Sequence, residues 1–140
     1  MEINATIIGQ YFLSKNLDLT DIQIQKLVYY AYSWYMVKHQ GEKLFEERPQ
    51  AWIHGPVFRS LFDSMKDYEK FRSSKNYEEL DDTIKTFLDI IYTVYGKYSG
   101  NELEELTHSE TPWQNARKGL KPSDFSQNCI EDKDIMECYR

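Results

Sequence analysis

Along most of the chain apolar residues recur at intervals of three and four, the spacing that lines one face of an α-helix. Ile3, Ile7, Ile8, Tyr11 and Phe12 share such a face and predict a first helix ending near Ser14. A short turn over 16–19 follows, and Thr20 with Gln23 three residues on has the spacing of a capping box. The helix it opens is predicted to run to about Gln40, with Gly41 as its stop. Within it Ile24, Leu27, Val28, Tyr30, Ala31, Trp34, Tyr35 and Met36 cover nearly the whole circumference. Such a helix belongs at the centre of the fold, with others packed around it.

After a polar loop over 41–49, residues 50–53 predict a short extended segment. Gly55-Pro56 reads as a turn that also suits a helix start, because proline in the first helical position loses no hydrogen bond. Val57, Leu61, Phe62 and Met65 continue it as an amphipathic third helix, and the charged stretch 69–76 reads as a mobile loop. The fourth helix has the clearest period: Leu80, Ile84, Phe87, Leu88, Ile91, Val94, Tyr95 and Tyr98, with Asp81, Asp82 and Asp89 outside and Gly96 in its last turn. Ser99 with Glu102 repeats the capping-box spacing and opens a short helix through His108. Thr111-Pro112 reads as a cap followed by a first-turn proline, 119–127 as loop, and 130–139 as a last short helix. The expected fold is mainly α, a single compact helical domain over 1–140 with a central buried helix and at most short extended segments.

Composition narrows the function classes. With 140 residues, 41% hydrophobic and 29% charged, the chain has the profile of a folded globular protein large enough to bury a core. Eleven Tyr, seven Phe and three Trp exceed what a core alone needs, and Tyr and Trp also serve protein–protein contacts. A net charge of −6 argues against phosphate neutralisation and so against nucleic acid as the partner. Lys66, Lys70, Arg72 and Lys75 cluster, but Glu69, Glu78 and Glu79 stand among or just beyond them, giving a mixed-charge surface. The sequence starts Met1-Glu2 without the basic region of a secretory signal, and the longest apolar stretch, 27–37, is broken by Ser33 and too short to span a bilayer. A cytoplasmic location without membrane association is expected.

Catalytic signatures are missing from the pattern. There is no glycine-rich phosphate loop, no dinucleotide fingerprint and no serine elbow. Cys129 and Cys138 form no disulfide framework, and with His39, His54 and His108 they make no metal-ligand spacing. A thiol nucleophile with His108 as its base meets only a loose description that two cysteines and three histidines satisfy by chance. No catalytic residue, cofactor or metal is expected.

Three stretches stand out. In Ile24-Gln25-Lys26-Leu27-Val28-Tyr29-Tyr30-Ala31 two polar residues interrupt an apolar helix. Ala51-Trp52-Ile53-His54-Gly55-Pro56-Val57 leads an aromatic and an imidazole into a Gly-Pro turn. Leu106-Thr107-His108-Ser109-Glu110-Thr111-Pro112-Trp113 packs a helix end, a cap and a first-turn proline into eight residues. Together and in this order they resemble the Panacea antitoxin domain, a family that includes SocA-like proteolytic adaptors and phage-associated GepA-type proteins. The resemblance covers nearly the whole chain.

The resemblance implies a mainly helical domain that neutralises a co-encoded toxin by direct protein contact. Alternatively, it implies an adaptor that hands a bound protein to a Clp-type protease. A DNA-binding regulator is a further alternative, from the short turn before Thr20. Against it, the following helix begins Asp21-Ile22-Gln23, poor in the cations of a recognition helix, and the chain shows no second, DNA-binding domain. Among the motif residues, Leu27, Trp52, Val57 and Trp113 are expected in the core. Gly55 and Pro56 are expected to be architectural, and His54 and His108 to hydrogen-bond across their junctions. Gln25, Tyr29, Tyr30 and Pro112 complete the motif set. Three readings of Lys26 stay open: a buried ion pair, an interface charge, or a solvated side chain. The partner surface is expected outside the motifs, at Tyr68, Phe71 and Arg72 in the charged loop. There Arg72 would grip a carboxylate while the two rings supply apolar area; an ordinary solvated loop is the alternative.

Overall fold

In the computed structural model, which describes residues 2–140, the centre is held by the second helix. It is preceded by α1 (Ala5–Lys15), whose start is set by Asn4, the side chain of which accepts the Ile7 N–H at 2.9 Å. Ile3 therefore lies before the helix. α2 (Asp21–Lys38) opens on the predicted capping box, both halves of which form between Thr20 and Gln23. Every residue from 24 to 33 is buried, as is Met36, so the helix is enclosed on all sides. Its end differs in detail from the expectation. Gln40, at φ +53, takes the first left-handed position, and Gly41, at φ +97, closes the turn by donating to the Met36 carbonyl at 2.8 Å.

The Gly55-Pro56 expectation is corrected by the structure. Gly55–Val57 forms a strand, β2, antiparallel to β1 (Gln50–Trp52), with Trp52 opposite Gly55 and Ile53-His54 as the turn. Proline is tolerated because Ala51, its partner, directs both backbone groups away: its N–H donates to the Asn128 carbonyl and its carbonyl accepts from Arg117. Val57 is therefore a strand residue, and α3 (Arg59–Met65) begins only after Phe58. On the far edge of β1 the 128–130 segment is tied by that Asn128 contact and by Ile130 N–H to the Pro49 carbonyl, 2.8 Å.

The predicted mobile loop is a second correction. Tyr68–Ser73 is a helix, α4, because Asp67 caps it through the Lys70 N–H at 3.2 Å and Phe71 finds a seat in the core. A 3-10 turn, Asn76–Glu79, leads to α5 (Asp82–Tyr95), capped by Asp81; Leu80 and Tyr98 flank the helix instead of extending it. α6 (Gly100–His108) starts on the predicted Ser99–Glu102 capping box. α7 (Thr111–Ala116) starts one residue earlier than expected, with Glu110 and not Thr111 at the cap. α8 is shorter than its pattern, Asp132–Cys138.

These eight helices and one hairpin make the fold mainly α. Among the described residues no helix is long and apolar enough to cross a membrane.

Candidate functional site

The three unusual sequence stretches meet at one junction between α2, the hairpin and α6–α7. Gln25 and Lys26, polar residues in the most buried helix, are what α2 contributes. The Gln25 side-chain amide donates to the Phe58 carbonyl at 3.1 Å and accepts the Phe58 N–H at 2.9 Å. It thereby pairs the backbone as a neighbouring strand would, just where β2 gives way to α3. Lys26 is 1% exposed and donates to the Pro56 carbonyl at 3.2 Å. None of its carboxylate neighbours lies within ion-pair distance, so the buried-pair, interface and solvated readings all give way to a carbonyl-capped ammonium. Burial pushes its pKa down to about 8, against the opposing pull of Glu104.

The hairpin is held from its other side by α7. Trp113 Nε1 donates to the Trp52 carbonyl at 2.8 Å, and the His108 ring stacks on Trp113 with centroids 3.8 Å apart. Both tryptophans are half-buried, whereas Leu27, Val57 and Pro112 are buried. His54 is exposed at the turn and reaches Glu104 at 3.2 Å, a contact across the junction of the expected kind. His108 stacks on Trp113 and its ring also meets the Ile53 backbone across the junction; its Nε2 has no partner within hydrogen-bond distance, and burial lowers its pKa against the pull of that backbone contact.

Tyr29 and Tyr30 face a neighbouring part of the interior. Tyr30 donates to Glu110 at 2.7 Å and Tyr139 donates to the same carboxylate oxygen at 2.8 Å, while the Tyr29 and Tyr139 hydroxyls lie 3.0 Å apart. Burial raises the Glu110 pKa, the two hydroxyls partly offsetting it. Two residues here escaped the sequence reading. The third stretch contains Glu110, to which the sequence pattern assigns no role. Arg117, 5% exposed, ties the 119–127 loop down by donating to the Ala51, Lys121, Pro122 and Asp124 carbonyls. No local pattern signals either; Glu110 stands inside the third stretch and Arg117 four residues beyond it.

Tyr68, Phe71 and Arg72 lie elsewhere, on α4 packed against α1. Tyr68 is 66% exposed, but Phe71 is 5% exposed and offers no area to a partner. Arg72 donates to the Leu17 carbonyl and sits 4.8 Å from the Tyr68 ring centroid, so its guanidinium is already engaged. At the start of α2, the Gln23 amide is committed to its cap and to the Tyr98 carbonyl at 3.0 Å, which removes it as a base-reading group.

Two apolar grooves open on the surface. One, of about 240 Å³, lies beside the junction between Ile22, Trp52, Phe62 and Met65. The other, of about 460 Å³, runs between α2 and the outer face of α5. Among the described residues no three His, Cys, Asp or Glu side chains are grouped as metal ligands, and both cysteines are free thiols.

Compared with models of protein families, residues 24–114 match the one described as antitoxin SocA-like, Panacea domain. The match begins at the first of the three stretches and ends one residue after the third. Comparisons with curated proteins and with solved structures return no match.

Proposed function

The chain belongs to the SocA-like Panacea antitoxin family, and from that premise we propose that it neutralises a cognate toxin by direct protein contact, without catalysis. One observation carries this reading: the polar groups of Gln25, Lys26, Glu110 and Trp113 in the three stretches are turned inward onto the chain itself. Gln25 is bound to Phe58, Lys26 to Pro56, Trp113 to Trp52 and Glu110 to Tyr30 and Tyr139. Groups engaged within the fold in this way hold a scaffold in shape and are not presented to a substrate. A scaffold of this kind presents a rigid outer surface, which is what a neutralising module needs and what keeps the ordering cost of binding low.

Co-expression with the product of the adjacent reading frame tests the proposal. Toxicity of that product alone, rescue by this chain and recovery of a stoichiometric complex are expected. A partner half-life unchanged by this chain accompanies blocking, whereas a shortened one assigns the protein to protease delivery. A harmless neighbour, or one that this chain does not bind, sinks the reading.

A further inference from the structure

Helix α5 is apolar on two sides. Its inner side buries Ile84, Leu88 and Ile91 in the core. On its outer side, Phe87, Ile90 and Val94 follow Thr83 at spacings of four, three and four, the alternation of a seam between two helices. Ile90 is 56% exposed and Val94 47%. The seam spans about 16 Å, or three turns. Its other wall is Trp34, fixed in place because its Nε1 donates to the Tyr95 hydroxyl at 2.8 Å. The groove is thus preformed, and a docking helix has no wall to order.

We propose that this groove receives an amphipathic helix of the protein partner, about three turns long, with an acidic side chain set against Lys38. The proposal rests on the antitoxin reading and gives it a surface. Lys38 is the only charged residue lining the groove, and it forms no ion pair within 4.0 Å among the described residues. A cation at one end of an apolar trough fixes both the register of the incoming helix and the sign of the charge it carries there.

A second copy of the chain fits less well. Tyr30 stacks on Tyr95 and Tyr35 packs on Phe87, so α2 and α5 run antiparallel and Lys38 lies towards the start of α5. A two-fold axis along the helices sets Lys38 against Lys38, and one across them sets each Lys38 against the Val94 end of the other copy. Neither symmetric pairing offers Lys38 a carboxylate from the residues that line the groove.

The test uses the full chain and the product of the adjacent reading frame. Ile90→Glu with Val94→Glu alters two exposed side chains, so melting temperature and helical circular dichroism should match the wild type. Affinity for the neighbouring product should fall at least about tenfold, with loss of growth rescue. Lys38→Glu, which leaves the apolar seam untouched, should slow association and reverse its salt dependence. A well-folded double variant that binds and rescues as the wild type does overturns the groove while leaving the antitoxin reading intact. A wild-type chain that does not bind the neighbour overturns both. A wild-type dimer that the double variant converts to monomer, at unchanged toxin affinity, assigns the groove to a second copy and overturns the partner helix.

Discussion

The α-carbon of Gly55 faces Lys26 so closely that a Cβ built there would lie 2.6 Å from Lys26 Cε and 2.9 Å from Thr107 Oγ1. Gly55 also sits at φ +113, where side chains are strained whatever the space. Gly41 separates the two effects, because it has a similar φ of +97 but nothing within 4 Å of its missing Cβ. Gly55→Ala should therefore cost roughly 2–4 kcal/mol, strain and overpacking together, and Gly41→Ala only about 1–2 kcal/mol. Urea unfolding of the two variants checks this. Equal losses would mean that the backbone angle alone matters and that Lys26 yields freely.

Gln25 replaces a missing strand for Phe58. Gln25→Met keeps the volume but leaves the buried Phe58 N–H without a partner, while the Phe58 carbonyl loses one donor and keeps the Phe62 N–H at 3.0 Å. The expected cost is about 1–3 kcal/mol. Hydrogen exchange at the Phe58 amide should quicken beyond what global destabilisation accounts for, because the change is centred on that peptide. Unaltered protection of Phe58 would show that another group takes over the bond.

How far the sequence foretold this molecule depends on how far apart the deciding residues are. Thr20 and Gln23, or Ser99 and Glu102, settle their helix starts within four residues, and both capping boxes formed as spaced. The all-round apolar pattern of α2 likewise put it at the centre. Gly55-Pro56 misled because its local preference for a helix start loses to an amide 33 residues back in the chain, which holds Phe58 extended. Thr111 looked like a cap, yet Glu110 takes that place, drawn inward by a tyrosine 29 residues ahead. The 69–76 stretch was charged enough to read as loop, although Asp67 and Phe71 carried a cap and an anchor for α4. Of the candidate surface only Tyr68 is freely exposed, and the outer seam of α5 passed unseen because Phe87 and Val94 read as part of one core face and Ile90 stood outside that pattern.

Lys26 should make stability rise with pH over a defined interval. Its folded pKa is pushed down to about 8 from an ordinary 10.5. Between those values the unfolded chain holds a proton that the folded chain has released, so raising the pH favours the folded state. Below about 8 both states are charged and the cost of burying the ammonium is fully present. Tyr29, Tyr30 and Tyr139, whose pKa values burial raises, oppose this trend above about pH 10, where unfolded tyrosines ionise first. Urea midpoints from pH 7 to 9.5 should therefore climb more steeply for wild type than for Lys26→Met. Parallel curves would mean that Lys26 stays charged throughout.

Glu110 should respond differently to loss of its charge and loss of its oxygen. Its carboxylate oxygen receives the Tyr30 and Tyr139 hydroxyls at 2.7 and 2.8 Å, which joins α2 to the chain just beyond α8. Glu110→Ala leaves two largely buried hydroxyls without that acceptor, at a cost of about 1–3 kcal/mol. Glu110→Gln keeps an acceptor oxygen and removes the charge that burial disfavours, so its stability at pH 7 should equal or exceed wild type. The raised pKa fixes the sign with pH: just above 4.5 the folded carboxyl keeps a proton that the unfolded one has lost. That contribution is complete below 4.5 and disappears as pH rises through the folded value, and the Gln variant lacks it. Amide exchange across Asp132–Cys138 should quicken in Glu110→Ala and stay slow in Glu110→Gln. If both variants loosen α8 alike, the carboxylate's charge, and not its acceptor oxygen, holds the chain end in place.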